Sequence, residues 1–321
     1  YSGGEPGSPV LALRTLIRDP ALRTRARDLR FLFVERMKGR AEQLRLELEK
    51  EAQPVALEDL PKYGINLAIS TGSYDPNLVN LLTQHKAWGR PMLVVLDTFG
   101  GAVKHDLVRR IAQNPSSEVI ITFEPQAFSR FASADNVEHG DTVFGDPSWR
   151  EVARQPSEMK TRWMISKYRD VLVDAGFHFV LTFELVNTRG HSLFLVFGTT
   201  HVRGLQKMKE AMWEVDKVTG VQYRDPADPN QELLDIEIEP ATAPLKRELV
   251  SHLESLPGKE ASVSDLRRFA LYHTVYKESQ VRPVLDQLAG SERIVGDGPQ
   301  GVVRLGGRVR LKDSQHHKQG D

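Results

Sequence analysis

The fold of this chain is decided by the stretch Met92-Leu93-Val94-Val95-Leu96-Asp97-Thr98-Phe99-Gly100-Gly101, in which five apolar residues precede an acid, a threonine, an aromatic residue and two glycines. A short run that is apolar throughout is typical of a strand buried in a parallel sheet. Residues 29–35, 65–70 and 119–124 have the same pattern, and segments with helical apolar spacing lie between them. Strands that alternate with helices predict an α/β fold, a parallel sheet with helices on both faces.

The C-terminal part of the chain has a different pattern. Residues 177–198 predict an antiparallel hairpin at the edge of the sheet, and the Asp-Pro-rich residues 225–244 predict a linker. Three helices and a terminal hairpin within residues 245–313 are the pattern of a winged helix-turn-helix. We therefore expect a Rossmann-like, doubly wound domain in residues 1–224, the small winged-helix domain, and a disordered tail in residues 314–321.

Composition excludes several classes of function. The chain has 321 residues, 43 Lys+Arg against 43 Asp+Glu, and no cysteine. Disulfides, thiolate metal sites and a cysteine nucleophile are therefore absent, which is compatible with a cytoplasmic protein. No apolar run reaches the roughly 18 residues of a membrane span, and the histidine spacing predicts no metal site. Zero net charge argues against a protein that coats nucleic acid over its whole surface.

Glu35 is the first candidate binding residue. It ends the apolar run Leu29-Arg30-Phe31-Leu32-Phe33-Val34. An acid at this position binds a ribose diol in dinucleotide and S-adenosylmethionine folds, because a carboxylate accepts hydrogen bonds from both hydroxyls. A solvated acid that merely ends a strand is the alternative.

Asp97 and Phe99 form the second candidate site. An aspartate at a strand end can accept a hydrogen bond from a substrate amine while an aromatic ring stacks on a flat base, the chemistry of amino-group methylation. The alternative is a capping aspartate with a core phenylalanine and a glycine turn. We favour the functional interpretation because Glu35 and Asp97 are expected at corresponding strand ends of one sheet.

The predicted winged-helix domain carries a mild basic excess, with 12 basic and nine acidic residues. Some of the basic residues fall on the presumed recognition helix and wing, where phosphate contact is expected. These candidate nucleic-acid contacts are Lys277, Arg282, Arg304, Arg308 and Arg310. A solvated charged face or a protein-docking module remains the alternative.

Four stretches resemble the three-Cys-motif partner protein family. They are Gly7-Ser8-Pro9, Phe33-Val34-Glu35-Arg36, Leu96-Asp97-Thr98-Phe99-Gly100, and the segment His201-Val202-Arg203-Gly204-Leu205-Gln206-Lys207-Met208-Lys209-Glu210-Ala211-Met212-Trp213. The last has no metal-ligand spacing, and we interpret its Met and Trp side chains as packing.

The resemblance implies a class I methyltransferase that uses S-adenosylmethionine and has a C-terminal winged helix. It implies that Glu35 binds the cofactor ribose, that Asp97 and Phe99 face the substrate, and that a three-Cys-motif protein or a nucleic acid is the partner. The residues that it implies near the adenine are Ser70, Gly72 and Ser73.

The chain departs from the family in two ways. Thr98 stands where the family has proline, which loosens the loop that presents Asp97. The first strand and its glycine-rich loop, which would precede Tyr1, are not in the sequence. In a class I methyltransferase that strand is central and pairs with the strands that end at Glu35 and Asp97, so we expect the chain to be an N-terminally truncated fragment.

Two other functions stay open. A catalytically inert adaptor would keep the fold only to bind the three-Cys-motif protein or a nucleic acid. A winged-helix transcriptional regulator with a ligand-sensing Rossmann domain would bind duplex DNA, and its affinity would depend on Arg282 and on salt.

Overall fold

The computed structural model describes residues 6–19, 28–98, 101, 103–133, 138–187, 190–224 and 242–312. The chain forms two compact units, Tyr1–Arg90 and Pro91–Asp321. Phe99, most of the expected linker (residues 225–241) and the expected tail 314–321 lie outside the described residues. The α/β class is confirmed, since helices and strands alternate through both units.

The described part of the first unit has two parallel strands and three α-helices. Its elements are α1 Ser8–Arg18, β1 Leu29–Glu35, α2 Lys38–Ala52, a 3-10 helix Leu57–Tyr63, β2 Ile65–Thr71 and α3 Tyr74–Gln84. Pro9 lies in the first turn of α1, where no helical N–H is needed. The apolar residues of α1 recur at helical spacing. The core consists of Val10, Leu13, Leu16, Leu44, Leu48, Ala52, Leu57, Leu60 and Ile65.

A five-stranded mixed sheet organises the second unit. Its elements are β3 Met92–Leu96, α4 His105–Ala112, β4 Ser117–Phe123, α5 Pro125–Phe131, α6 Glu138–Phe144, a 3-10 helix Pro147–Arg154, α7 Ser157–Ala175, β5 Phe179–Val186, β6 Ser192–Thr199, α8 Val202–Val215 and β7 Gln222–Arg224. The strand order is β3-β4-β6-β5-β7. β3 and β4 are parallel, and β6 runs antiparallel to both of its neighbours.

The C-terminal part of the second unit adds three helices and a three-stranded antiparallel sheet. The elements are α9 Ala243–Ser255, β8 Glu260–Ser262, α10 Val263–His273, α11 Glu278–Gly290, β9 Ile294–Gly296 and β10 Arg308–Leu311, with sheet order β8-β10-β9. Ser262 caps α10, since its Oγ accepts a hydrogen bond from the Asp265 backbone N–H at 3.0 Å. Trp213 of α8 belongs to the same apolar core as these helices.

Two expectations about the sheet need correction. The antiparallel hairpin β5–β6 does not form the sheet edge, because β7 pairs with the outer side of β5 and β6 lies between β4 and β5. The expected single sheet is also interrupted. In the described part of the chain β1 pairs only with β2, and β3 pairs only with β4, so these strands belong to two separate sheets.

Candidate functional site

The first unit brings the predicted cofactor residues to one edge of its parallel strand pair. The register places Val34 opposite Ser70 and Glu35 opposite Thr71. Just beyond the strands, the Gly72 backbone N–H donates to the Glu35 carbonyl oxygen at 2.9 Å. Because both strands run in the same direction, their carboxyl ends form one ledge. Glu35, Ser70, Gly72 and Ser73 lie on this ledge, which we call the β1–β2 ledge.

The Glu35 side chain is held in place on the β1–β2 ledge. It is half-buried, and its Oε1 accepts a hydrogen bond from the Met37 backbone N–H at 2.9 Å. Met37 immediately precedes α2. A carboxylate has about four acceptor sites, so this one bond orients the group and leaves acceptor capacity for two hydroxyls.

Gly72 is needed for the shape of the ledge. Its φ of +138° is a conformation that only glycine adopts easily, and an added Cβ would lie 2.6 Å from Asn77 Nδ2. That amide nitrogen donates to the Ser73 carbonyl oxygen at 2.7 Å. Ser73 precedes the first turn of α3. The loop therefore passes tightly between β2 and α3, with its backbone fixed by Asn77.

Asp97 lies in the second unit, just after β3, and its side chain is exposed. Thr122 on β4 holds it: the threonine hydroxyl donates to Asp97 Oδ1 at 3.1 Å and accepts from the Thr98 backbone N–H at 3.2 Å. Thr122 itself is buried. The only sequence signal for this partner is a polar residue within the apolar run of β4.

The far end of the Asp97 loop is fixed as well. Gly101 forms an isolated antiparallel bridge with Phe123, and its carbonyl oxygen lies 3.0 Å from His139 Nε2. A carbonyl can only accept, so Nε2 must carry the proton of this hydrogen bond. Phe99 lies outside the described residues. Sequence reasoning missed His139, which lies in a segment without clear periodicity.

Replacing Thr122 by valine should loosen the start of this loop. Valine keeps the shape but removes the hydroxyl, and with it the hydrogen bonds to Asp97 and Thr98, so we expect a loss of about 1 kcal/mol of stability. The amide of Thr98 should exchange its hydrogen faster, which exchange mass spectrometry of the peptide around residues 92–101 can measure. Thr122→Ser retains the hydroxyl and should behave as wild type. Equal protection of Thr98 in the valine variant would refute this role.

The structure does not place Glu35 and Asp97 on one sheet. Glu35 ends β1 of the first unit, whereas Asp97 follows β3 of the second. The reason is that no described strand pairs with both β1 and β3, so the described strands are not joined into one sheet. Each site is therefore built locally from its own unit.

Two of the five predicted nucleic-acid residues are engaged with acids. Arg282 on α11 contacts both carboxylate oxygens of Asp286 through Nε, at 3.0 and 2.9 Å. Arg308 on β10 lies 2.9 Å from Glu260. Lys277, Arg304 and Arg310 form no ion pair within the described part of the chain. These pairs reduce the positive charge that α11 and β10 present to a phosphate backbone.

The segment 201–213 has a structural explanation that the sequence did not give. Lys209 on α8 is almost fully buried, and the three N–H groups of its ammonium lie within hydrogen-bonding distance of four carbonyl oxygens, those of Ala270, Leu271, Thr274 and Tyr276, at 2.6–3.2 Å. These carbonyls belong to the end of α10 and the turn before α11. Burial lowers the pKa of Lys209 to about 8, although carbonyl groups at a helix C-terminus favour the charged form.

Trp213 reinforces this contact. Its indole N–H donates to the Val275 carbonyl oxygen at 2.9 Å, one helical turn beyond Lys209. Lys209 and Trp213 together, here called the α8 clamp, hold the turn between α10 and α11 against α8. The packing interpretation of this segment is confirmed for Trp213 and Met212, which are buried.

Within the described residues, no cluster of three or more His, Asp or Glu side chains could hold a metal ion. The helices described there are too short or too polar to be membrane spans. The chain matches no protein-family model and no curated protein sequence.

Proposed function

We propose that the protein is a cytoplasmic, S-adenosylmethionine-dependent methyltransferase of the class I type, similar to the three-Cys-motif partner proteins. The observation that carries this proposal is the β1–β2 ledge. Glu35 presents a fixed, half-buried carboxylate at the end of β1, and Gly72 is bonded to its backbone. This is where a ribose diol and an adenine are bound in open α/β sheets.

The strand arrangement within each unit supports the same proposal. In the family fold, the first strand pairs with the strands that end at Glu35 and Asp97. Among the described residues, β1 has one unpaired edge in the first unit, and β3 has one in the second. β1 is parallel to β2, and β3 is parallel to β4, as that fold requires.

The residues present suit the cofactor that the family uses. Glu35 would hold the ribose hydroxyls, and the loop from Ser70 to Ser73 would lie against the adenine. The bound cofactor supplies an activated methyl group. Asp97, with its carboxylate held by Thr122, would accept a hydrogen bond from a substrate amine and orient it, and positioning of this kind accounts for much of catalysis in bimolecular transfers.

The C-terminal part supports a winged-helix module. The support is its element order: a helix, a strand, two helices and two further strands, which is the order that we expect for a winged helix-turn-helix. We propose that this module presents the substrate, either a nucleic acid or a group carried by a three-Cys-motif partner protein. The ion pairs of Arg282 and Arg308 weaken a purely electrostatic role for α11 and β10.

The proposal predicts cofactor binding that depends on Glu35. We expect Glu35→Ala to weaken S-adenosylmethionine binding at least about 10-fold, since hydrogen bonds to a charged group are worth about 1.5–3 kcal/mol. Isothermal titration calorimetry measures this. Glu42→Ala is the matched control, because Glu42 is exposed on α2 and makes a long surface contact, 3.9 Å from its Oε1 to Lys38 Nζ. It should bind as wild type.

The two alternatives predict different binding results. An inert adaptor would show no cofactor binding and no effect of Glu35→Ala. A ligand-sensing regulator would bind duplex DNA with an affinity that falls on charge reversal of Arg282. If Glu35→Ala binds S-adenosylmethionine as tightly as the wild-type chain does, the β1–β2 ledge is not the cofactor site.

A further inference from the structure

Six aromatic rings form a continuous series on the second unit. Each contacts the next, with ring centroids 3.9–6.5 Å apart. In spatial order they are His252, Phe269, His273, Tyr272, Phe179 and His178. We call this series the ring stripe. It runs from α9 across α10 to the start of β5, and none of its members belongs to the β1–β2 ledge or to the Asp97 loop.

The ring stripe is open to solvent over part of its length. His178, Tyr272 and His273 are exposed, with 43% of Tyr272 accessible, while His252, Phe269 and Phe179 are half-buried. A core cluster would hide its rings, as Phe123 and Tyr168 do elsewhere in this unit. The stripe therefore leaves three of its six rings, those of His178, Tyr272 and His273, accessible to a ligand.

The rings are also held in fixed orientations. His252 stacks on Phe269 with an interplanar angle of 8°, and Phe179 stacks on Tyr272 at 14°. His178 Nδ1 lies 3.0 Å from the Thr200 carbonyl oxygen, which anchors that end of the series. Rings that are already ordered lose little conformational freedom when a ligand stacks on them.

Two exposed arginines lie near members of the stripe in the chain. Arg169 donates from its guanidinium to the carbonyl oxygen of Val180, the residue after Phe179, at 3.1 Å. Arg268 precedes Phe269 on α10, is exposed, and is paired with Asp265. Proteins bind single-stranded nucleic acid through exposed aromatic rings in series, on which bases stack, together with basic side chains that meet the phosphates. Because Arg268 is paired with Asp265, the rings rather than the arginines carry the inference.

We propose that the ring stripe is a stacking platform for a single-stranded nucleic acid. The proposal deepens the proposed function by naming the substrate class, and it rests on that function only for what happens to the bound strand. A duplex offers no free base faces, so the stripe selects single strands. Since at most two arginines, Arg169 and Arg268, would meet phosphates, the affinity should fall only modestly with salt, with a logarithmic slope of about −1.4 or smaller in magnitude.

The test is fluorescence anisotropy with the full chain and labelled 20-nucleotide single strands of oligo(dT) and oligo(U), without cofactor. We expect Tyr272→Ala and Tyr272→Leu to weaken binding about 5-fold to 100-fold, and Tyr272→Phe to bind as wild type. Leucine retains apolar contact with Phe179, so this variant separates loss of stacking from loss of folding. Tyr63→Ala, which removes a tyrosine that is 54% exposed in the first unit, is the control.

Several outcomes would overturn the proposal. They are no binding of either single strand by the wild-type chain, equal binding by Tyr272→Leu, and tighter binding of the corresponding 20-base-pair duplex. Binding of a protein partner at the ring stripe, with no binding of a single strand there, would also overturn it. Glu35→Ala should retain single-strand binding, so a failure of the cofactor proposal and a failure of the ring stripe give different results.

Discussion

Replacing Lys209 by methionine is expected to destabilise the second unit by about 3 kcal/mol. Methionine keeps most of the buried stem but removes the ammonium, so the carbonyl oxygens of Leu271, Thr274 and Tyr276 lose its hydrogen bonds. Each buried carbonyl left without a donor costs about 1–3 kcal/mol. Removing a charge that was costly to bury offsets part of this, but the three lost bonds outweigh that gain.

Denaturant unfolding monitored by tryptophan fluorescence measures this effect, because Trp213 lies in the α8 clamp. We also expect faster proteolysis in the region of α10 and α11, since the turn between them would no longer be held against α8. Lys207→Met is the control. Lys207 lies on the same helix, is exposed, and pairs with Glu210 at 2.6 Å, a surface contact worth at most about 1 kcal/mol. Equal stability of the two variants would contradict the clamp.

The effect of Lys209→Met should grow with pH. Burial lowers the pKa of Lys209 to about 8 in the folded chain, against 10.5 for an ordinary lysine. Between these values the unfolded chain binds a proton that the folded chain has released, so the wild-type free energy of unfolding rises with pH relative to the variant. The difference between the two proteins should therefore be larger at pH 9.5 than at pH 7. A difference that shrinks over this range would show that the carbonyl groups outweigh burial.

Periodicity made the larger elements predictable. Residues 157–175 show helical spacing and form α7 over those same residues, and the apolar runs at residues 29–35 and 92–96 are β1 and β3. The shorter elements α5 and α6, each of seven residues, have too few turns for a period to be recognised. Local pattern therefore determined the α/β class but not every connection.

Long-range contacts were beyond the sequence. Thr122 lies 25 residues from Asp97, and no local signal links the two. A lysine on an amphipathic helix normally points into solvent, so the burial of Lys209 becomes visible only when α10 ends over α8. The count of basic residues was also an incomplete guide to the surface charge, since it does not reveal that Arg282 and Arg308 pair with carboxylates.

Gly204 gives the second large expected effect. An added Cβ would lie 2.2 Å from Glu118 Oε1 and 2.4 Å from Thr199 Oγ1, so α8 approaches the sheet as closely as it does only because residue 204 has no side chain. Thr199 is fully buried, and its hydroxyl accepts from the His201 backbone N–H at 3.2 Å, which limits how far it can move. Gly204→Ala should therefore cost about 2–3 kcal/mol through overpacking, despite the better helix propensity of alanine.

Thermal and denaturant unfolding of Gly204→Ala test this against Gly290→Ala. Gly290 ends α11 with nothing within 4 Å of an added Cβ, so its replacement should be neutral or slightly stabilising. The Glu118 carboxylate is half-buried, and this burial raises its pKa. Shortening that side chain, as in Gly204→Ala with Glu118→Ala, should recover part of the loss, because it removes the nearest atom. If the double variant is no more stable than Gly204→Ala, the clash with Glu118 does not limit the approach of α8, and contact with Thr199 alone sets it.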